Sequence, residues 1–114
     1  MRAAVLKAYG EPLSIESVPE PEPDPHGAVV EVEACGICRS DWHGHGEWAD
    51  DQVALGQVLG HEPAGRVVSV GADVTRLSVG DRVAVPFNLG DGACPHCLNG
   101  HGNVCDDGYA LGFE

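Results

Sequence analysis

The stretch AVVEVEA, residues 28–34, decides the fold class. In an extended chain Val30, Val32 and Ala34 fall on one side and Glu31 and Glu33 on the other, a period of two and not 3.6. The same pattern recurs outward in both directions. AAVLK from Ala3, LSIESV from Leu13, GRVVSV from Gly65 and DRVAV from Asp81 are strand candidates bounded by Gly, Pro or Asp. The expected fold is mainly antiparallel β. VPEPEPDPH places Pro19, Pro21, Pro23 and Pro25 at alternate positions, which bars a central strand and reads as a stiff loop. Its acidic spacers argue against a ligand for proline-binding domains. Ser40 to Trp48 suits a short helical turn, limited by Gly44 and Gly46. Asn88 to Gly112 has no apolar period, and so long an irregular segment needs its own staple.

At 114 residues the chain is one domain's worth. A domain this small has little surplus stability and gains from a metal or a partner, and five cysteines and six histidines point to the metal. Eighteen acidic against six basic residues give a net charge of −12, which repels phosphate backbones and anionic lipid; nucleic acid and membrane surfaces are poor partners. Only Lys7 among the cations is a lysine, and the carboxylates are scattered, as on a surface adapted to a salt-rich, halophilic cytoplasm. The four-residue apolar run AAVL is far below a signal-peptide core or membrane span, so a cytoplasmic location is expected. In a reducing compartment, an odd number of cysteines in CxxC spacings fits metal ligands better than disulfides.

Two segments carry candidate chemistry near strand ends. CGICRSDWH, residues 35–43, sets Cys38 just beyond the AVVEVEA strand, followed by Ser40, Asp41 and His43. GHEPAGRVVSVGADV, residues 60–74, opens a glycine-punctuated strand with His61 and Glu62. A thiolate and an imidazole from neighbouring strand ends are natural zinc ligands, and a carboxylate such as Asp41 can hold the other imidazole nitrogen. A third segment, GDGACPHCLNGHGNVC, residues 90–105, closes the series.

Together these segments resemble the medium-chain, zinc-dependent alcohol dehydrogenase family. GHExxGxxxxxGxxV is similar to its zinc signature, CGICRSDWH to its first ligand segment, and residues 90–105 to its four-ligand structural lobe, in the same order. The turn VGDRVAVPF extends the match, so the resemblance covers nearly the whole chain up to Cys105. It implies a partial GroES-like irregular β-barrel with a short helical turn and a zinc lobe, residues 1–114 forming an incomplete substrate domain. Cys38 and His61 would bind a catalytic zinc, with Glu62 an alternate or outer ligand. Asp41 would orient His61, Ser40 would take the alcohol proton, and His43 would pass it outward. Zinc would polarise the alcohol oxygen as a Lewis acid so that hydride can leave its carbon. Arg39 would contact the phosphates of NAD or NADP. Asp91, Cys94, Cys97 and Cys105 would hold a structural zinc, with a carboxylate where the family pattern has its first cysteine.

The family's GxGxxG dinucleotide-binding domain and its third catalytic zinc ligand have no counterpart in these residues. GHGEWA, residues 44–49, satisfies GxGxxA but follows no hydrophobic strand. The resemblance thus implies the front part of an enzyme acting on a small alcohol or aldehyde, with no hydride transfer by these residues alone. A homo-oligomer, or association with a separate nucleotide-binding domain, would cover an exposed apolar face. Rival readings stand beside it: a zinc ribbon pairing Cys35/Cys38 with Cys94/Cys97, a redox CxxC, a relative of the zinc-free quinone reductases, against which His61, Glu62 and Cys38 argue, and a catalytically silent fragment. Cys35 reads as a buried strand residue, and Trp42 and Trp48 as pocket or core.

Overall fold

A computed structural model describes residues 1–47 and 53–111. Among the described residues, seven strands form three small antiparallel sheets. The strands β1 (Arg2–Val5) and β2 (Ser14–Ser17) pair with each other. A three-stranded sheet carries β3 (Ala28–Gly36), β4 (Glu62–Val70) and β5 (Arg82–Ala84) in that order. The last pair is β6 (Asn88–Leu89) with β7 (Tyr109–Ala110). Among the described residues no sheet closes on itself, so the barrel is open and irregular, as the resemblance implied. Two one-turn helices, α1 (Arg39–Trp42) and α2 (Pro95–Leu98), complete the framework, with a π-helical turn at His43–Glu47 and a 3₁₀ turn at Gly102–Val104.

The longest strand pair among the described residues is β3–β4, each strand nine residues long. Gly65 allows this close pairing, because a Cβ there would lie 2.0 Å from the Glu31 carbonyl oxygen. On the exposed face, Arg66 and Arg82 are direct cross-strand neighbours and would repel one another. Glu33 bridges them: Arg66 Nε donates to its Oε1 at 3.1 Å and Arg82 to its Oε2 at 2.9 Å.

The alternation in residues 28–34 predicts a Val30–Val32–Ala34 face, but β3 deviates from it. Its register shifts between Val29 and Val30 and again between Val32 and Ala34, and Val32 is 55% exposed. Bulges of this kind rotate side chains off a shared face. The buried apolar residues among the described ones are instead Ala3, Val5, Leu6, Val53 and Val67, drawn from β1 and the residue after it, the segment ahead of His61, and β4. Leu6 exchanges backbone hydrogen bonds with this segment: its N–H donates to Gln57 O and its carbonyl accepts from Gly56 N–H. Val5 also bridges to Val58. The run into His61 is therefore anchored on the core.

Two expectations are corrected and one pair of alternatives is narrowed. Cys35 is exposed, because the C-terminal half of β3 runs out beyond the core. Of the two alternatives for Trp42 the core one falls, since it is exposed and lines a cavity, while Trp48 lies outside the described residues. The segment after Asn88 is not wholly irregular: its ends are clipped together by β6 and β7, pairs too short to leave a period in the sequence.

Candidate metal centres

The register of β3 and β4 assembles the first centre. Gly36 pairs with Glu62, so Cys38, two residues past the end of β3, and His61, one residue before β4, emerge at the same end of the sheet. Their donor atoms meet across 23 positions of sequence, with Cys38 Sγ 3.0 Å from His61 Nε2. A Glu62 carboxylate oxygen completes a group whose donor atoms all lie within 4.8 Å of one another. Gly60 makes the approach to His61 with φ of +111°, a backbone region that side chains rarely adopt.

Asp41 ties the two strand ends together through both carboxylate oxygens. Its Oδ2 accepts the Cys38 N–H at 2.9 Å, while its Oδ1 faces His61 Nδ1 at 3.3 Å. Cys38 in turn caps α1, its Sγ accepting the Ser40 N–H at 3.2 Å. His61 is the one buried polar side chain among the described residues, 5% exposed. On its other flank Phe87 meets the imidazole edge-on, with ring centroids 5.0 Å apart. Sequence reasoning gave Phe87 no role; its place as the last residue of VGDRVAVPF, one residue before β6, was the available signal. Ser40 and His43 are half-buried on the helical turn beside Cys38, and Arg39 is exposed at its start. An open, largely apolar cavity of about 490 Å³ adjoins Asp41, lined by Cys35, Ile37, Trp42, His45 and Leu59.

A second centre is built from chain-local donors. Asp91, Cys94, Cys97 and Cys105 each present one donor atom within 4.8 Å of the others. Cys94 caps α2, its Sγ accepting the Cys97 N–H at 3.4 Å, and Cys105 Sγ accepts the Asp91 N–H at 3.3 Å. The Cys94 and Cys105 sulfurs are 3.8 Å apart. The N–H groups of Cys94 and Ala93 hold the Asp91 carboxyl well below its ordinary range. The Cys97 N–H likewise pulls the Cys94 thiol down, aided by the backbone of Asp106. Lost hydration, reinforced by Asp91, Cys105 and Cys94, pushes the Cys97 thiol up to about 12. Four potential anions cannot all ionise at such proximity without a cation between them. Three thiols and a carboxylate fit a tetrahedral, borderline-soft divalent ion such as zinc.

The two clusters remain separate. Cys94 and Cys97 group with Asp91 and Cys105, and Cys38 groups with His61 and Glu62; the four-cysteine ribbon is not assembled among the described residues.

Residues 24–113 match the model of the alcohol dehydrogenase GroES-like domain. The chain belongs to this family. The GroES-like domain seen here is 39% identical to an alcohol dehydrogenase of Rhizobium meliloti strain 1021, over all of this chain and 34% of that protein. Its fold superposes on the alcohol dehydrogenase TADH from Thermus sp. ATN1 with a TM-score of 0.88 at 36% identity, covering 99% of this chain and 32% of the other. A thermostable alcohol dehydrogenase from Pyrobaculum aerophilum, with cobalt and zinc bound, gives a TM-score of 0.86 at 29% identity, covering 99% of this chain and 35% of the other. The chain thus spans about a third of the length of the curated relatives it matches. No helix among the described residues is long and apolar enough to cross a membrane.

Proposed function

We infer that residues 1–114 are the N-terminal substrate-domain portion of a zinc-dependent alcohol dehydrogenase acting in the cytoplasm on a small alcohol or aldehyde with NAD or NADP. The observation that carries this reading is the 3.0 Å approach of Cys38 Sγ to His61 Nε2, with Asp41 behind the imidazole. A thiol, an imidazole and a carboxylate converging at one sheet end are a donor set suited to catalytic zinc. When bound there, zinc supplies Lewis acidity that draws electron density from an alcohol oxygen.

The chain's own side chains divide the remaining work. Cys38 and His61 hold the ion, with Glu62 as alternate or outer ligand. Asp41 fixes the His61 ring, so that Nε2 keeps its lone pair for the metal. Ser40 accepts the proton released by the alcohol, and His43, three residues on, carries it outward. Arg39, exposed at the start of α1, serves as a contact for cofactor phosphates. Asp91, Cys94, Cys97 and Cys105 hold a second, structural zinc as a lobe within the domain. The nucleotide is bound by a further domain, whose docking, or that of a second copy, covers exposed apolar residues such as Ile37 and Trp42.

Metal analysis of the parent chain, Cys38→Ser and Cys105→Ser tests this reading, with circular dichroism to verify folding. The parent should bind two zinc ions and each folded variant one. A Cys105→Ser protein that stays folded and keeps every zinc would sink the lobe. Assays with primary alcohols and either cofactor should detect no turnover by residues 1–114 alone; turnover would refute the assignment of nucleotide binding to a separate domain. The acidic surface adds an expectation of its own, that molar KCl raises the midpoint of thermal unfolding.

A further inference from the structure

Asp91 occupies the one position of the second centre that lacks a sulfur, and its surroundings give it a task beyond ligation. Its Oδ1 accepts two backbone hydrogen bonds, from Ala93 N–H at 2.8 Å and Cys94 N–H at 3.0 Å. Those two groups open the turn that leads into α2, where Cys94 is the cap and Pro95 the first helical residue. The Asp91 N–H donates to Cys105 Sγ, so the same residue also reaches the far end of the lobe. Oδ1 is thus engaged by the backbone, while a carboxylate oxygen still lies within 4.8 Å of three sulfurs.

The lobe needs such an organiser. All four of its donors are at most half-buried, and neither α2 nor the 3₁₀ turn contributes a buried residue. Apolar packing therefore does little to order residues 91–105 before a cation arrives. A carboxylate has two oxygens and can hold a turn with one and a metal with the other. Asp41 at the first centre divides its oxygens in the same manner, Oδ2 to the Cys38 N–H and Oδ1 towards His61.

We propose that Asp91 works through separate oxygens: Oδ1 builds the turn at Ala93 and Cys94 independently of metal, and Oδ2 is left as the fourth ligand. The proposal rests on the reading of this lobe as a zinc site. It makes Asp91 a positioning residue as well as a ligand, and the lobe partly preorganised in its zinc-free form.

The test compares the 114-residue parent with Asp91→Asn and Asp91→Ala under reducing conditions. Amide hydrogen exchange at Ala93 and Cys94 is measured on zinc-free protein. Zinc affinity of the lobe is read from the amide shifts of Cys94, Cys97 and Cys105 during titration with zinc alone. Asparagine keeps an Oδ1 acceptor and loses the anionic ligand. Asp91→Asn should therefore retain the slowed exchange of the parent, whereas Asp91→Ala loses it. Both variants should bind zinc more weakly by at least the roughly 10- to 100-fold seen when an outer-shell partner is lost. Equal exchange rates in the two variants would overturn the metal-independent turn, and parent-like zinc affinity in Asp91→Asn would overturn the Oδ2 ligand. If zinc leaves the three cysteine amides of the parent unmoved, the lobe fails as a metal site and the Oδ2 role with it. The exchange comparison then decides the Oδ1 role alone.

Discussion

The two candidate centres use similar donors but differ in what holds them. Cys38 and His61 come from the ends of two nine-residue strands and meet because β3 and β4 pair in one register. Asp91, Cys94, Cys97 and Cys105 come from a single stretch whose most distant members are 14 positions apart, shaped by N–H to sulfur and N–H to carboxylate bonds. The first centre is therefore as stable as the sheet, and the second nearly independent of it. Perturbing the sheet should harm one and spare the other.

The largest expected effect comes from Gly65→Ala. Its Cβ would sit 2.0 Å from Glu31 O, a backbone contact that no rotamer relieves. The destabilisation should exceed the roughly 1–3 kcal/mol typical of an overpacked core. Metal analysis should show loss of the Cys38–His61 zinc with the lobe zinc retained; loss of both together would mean that the lobe depends on the sheet after all.

Leu6→Ala comes next. Leu6 is fully buried and anchors the run into His61 through Gly56 and Gln57, so truncation should cost about 2–5 kcal/mol in denaturant unfolding. The lobe amides should keep the zinc affinity of the parent. Asp41→Asn is milder for the fold and sharper for the site. It preserves an acceptor for the Cys38 N–H but weakens the hold on His61, and zinc affinity at the first centre should fall about 10- to 100-fold. Cobalt titration followed by thiolate charge-transfer absorption measures this, and an unchanged affinity would remove Asp41 from its positioning role.

The smallest effect is expected from Glu33→Gln on the exposed face. The bridge to Arg66 and Arg82 is accessible to solvent, so its loss should cost at most about 1 kcal/mol, and the cost should fade as salt screens the facing arginines. A larger cost that is insensitive to salt would show the triad to be more than a surface pair. Neither metal centre should respond.

The contrast also explains what was readable in advance. The clustering of Asp91, Cys94, Cys97 and Cys105 is legible residue by residue, because their spacing is local and needs no tertiary pairing. Cys38, Asp41 and His61 are legible as a motif, but their 3.0 and 3.3 Å approaches depend on a register that no local pattern states. The strands were visible wherever alternation survives, in β1, β2 and β4 above all. The pattern misled where the two shifts in β3 break it, leaving Val32 and Cys35 at the surface. The two-residue strands β6 and β7 carry no period at all, and Phe87 beside His61 is a contact between segments far apart in the chain.

By itself, then, the sequence determined the β class, the stiff proline segment, the acidic charge and the identity of the donor side chains, because these follow from residue type and short-range spacing. Tertiary structure alone decided which donors meet, where the core lies and which apolar residues remain exposed. Those outcomes depend on long-range strand pairing and on bulges that reorient side chains, and both are settled by the balance of contacts across the whole domain.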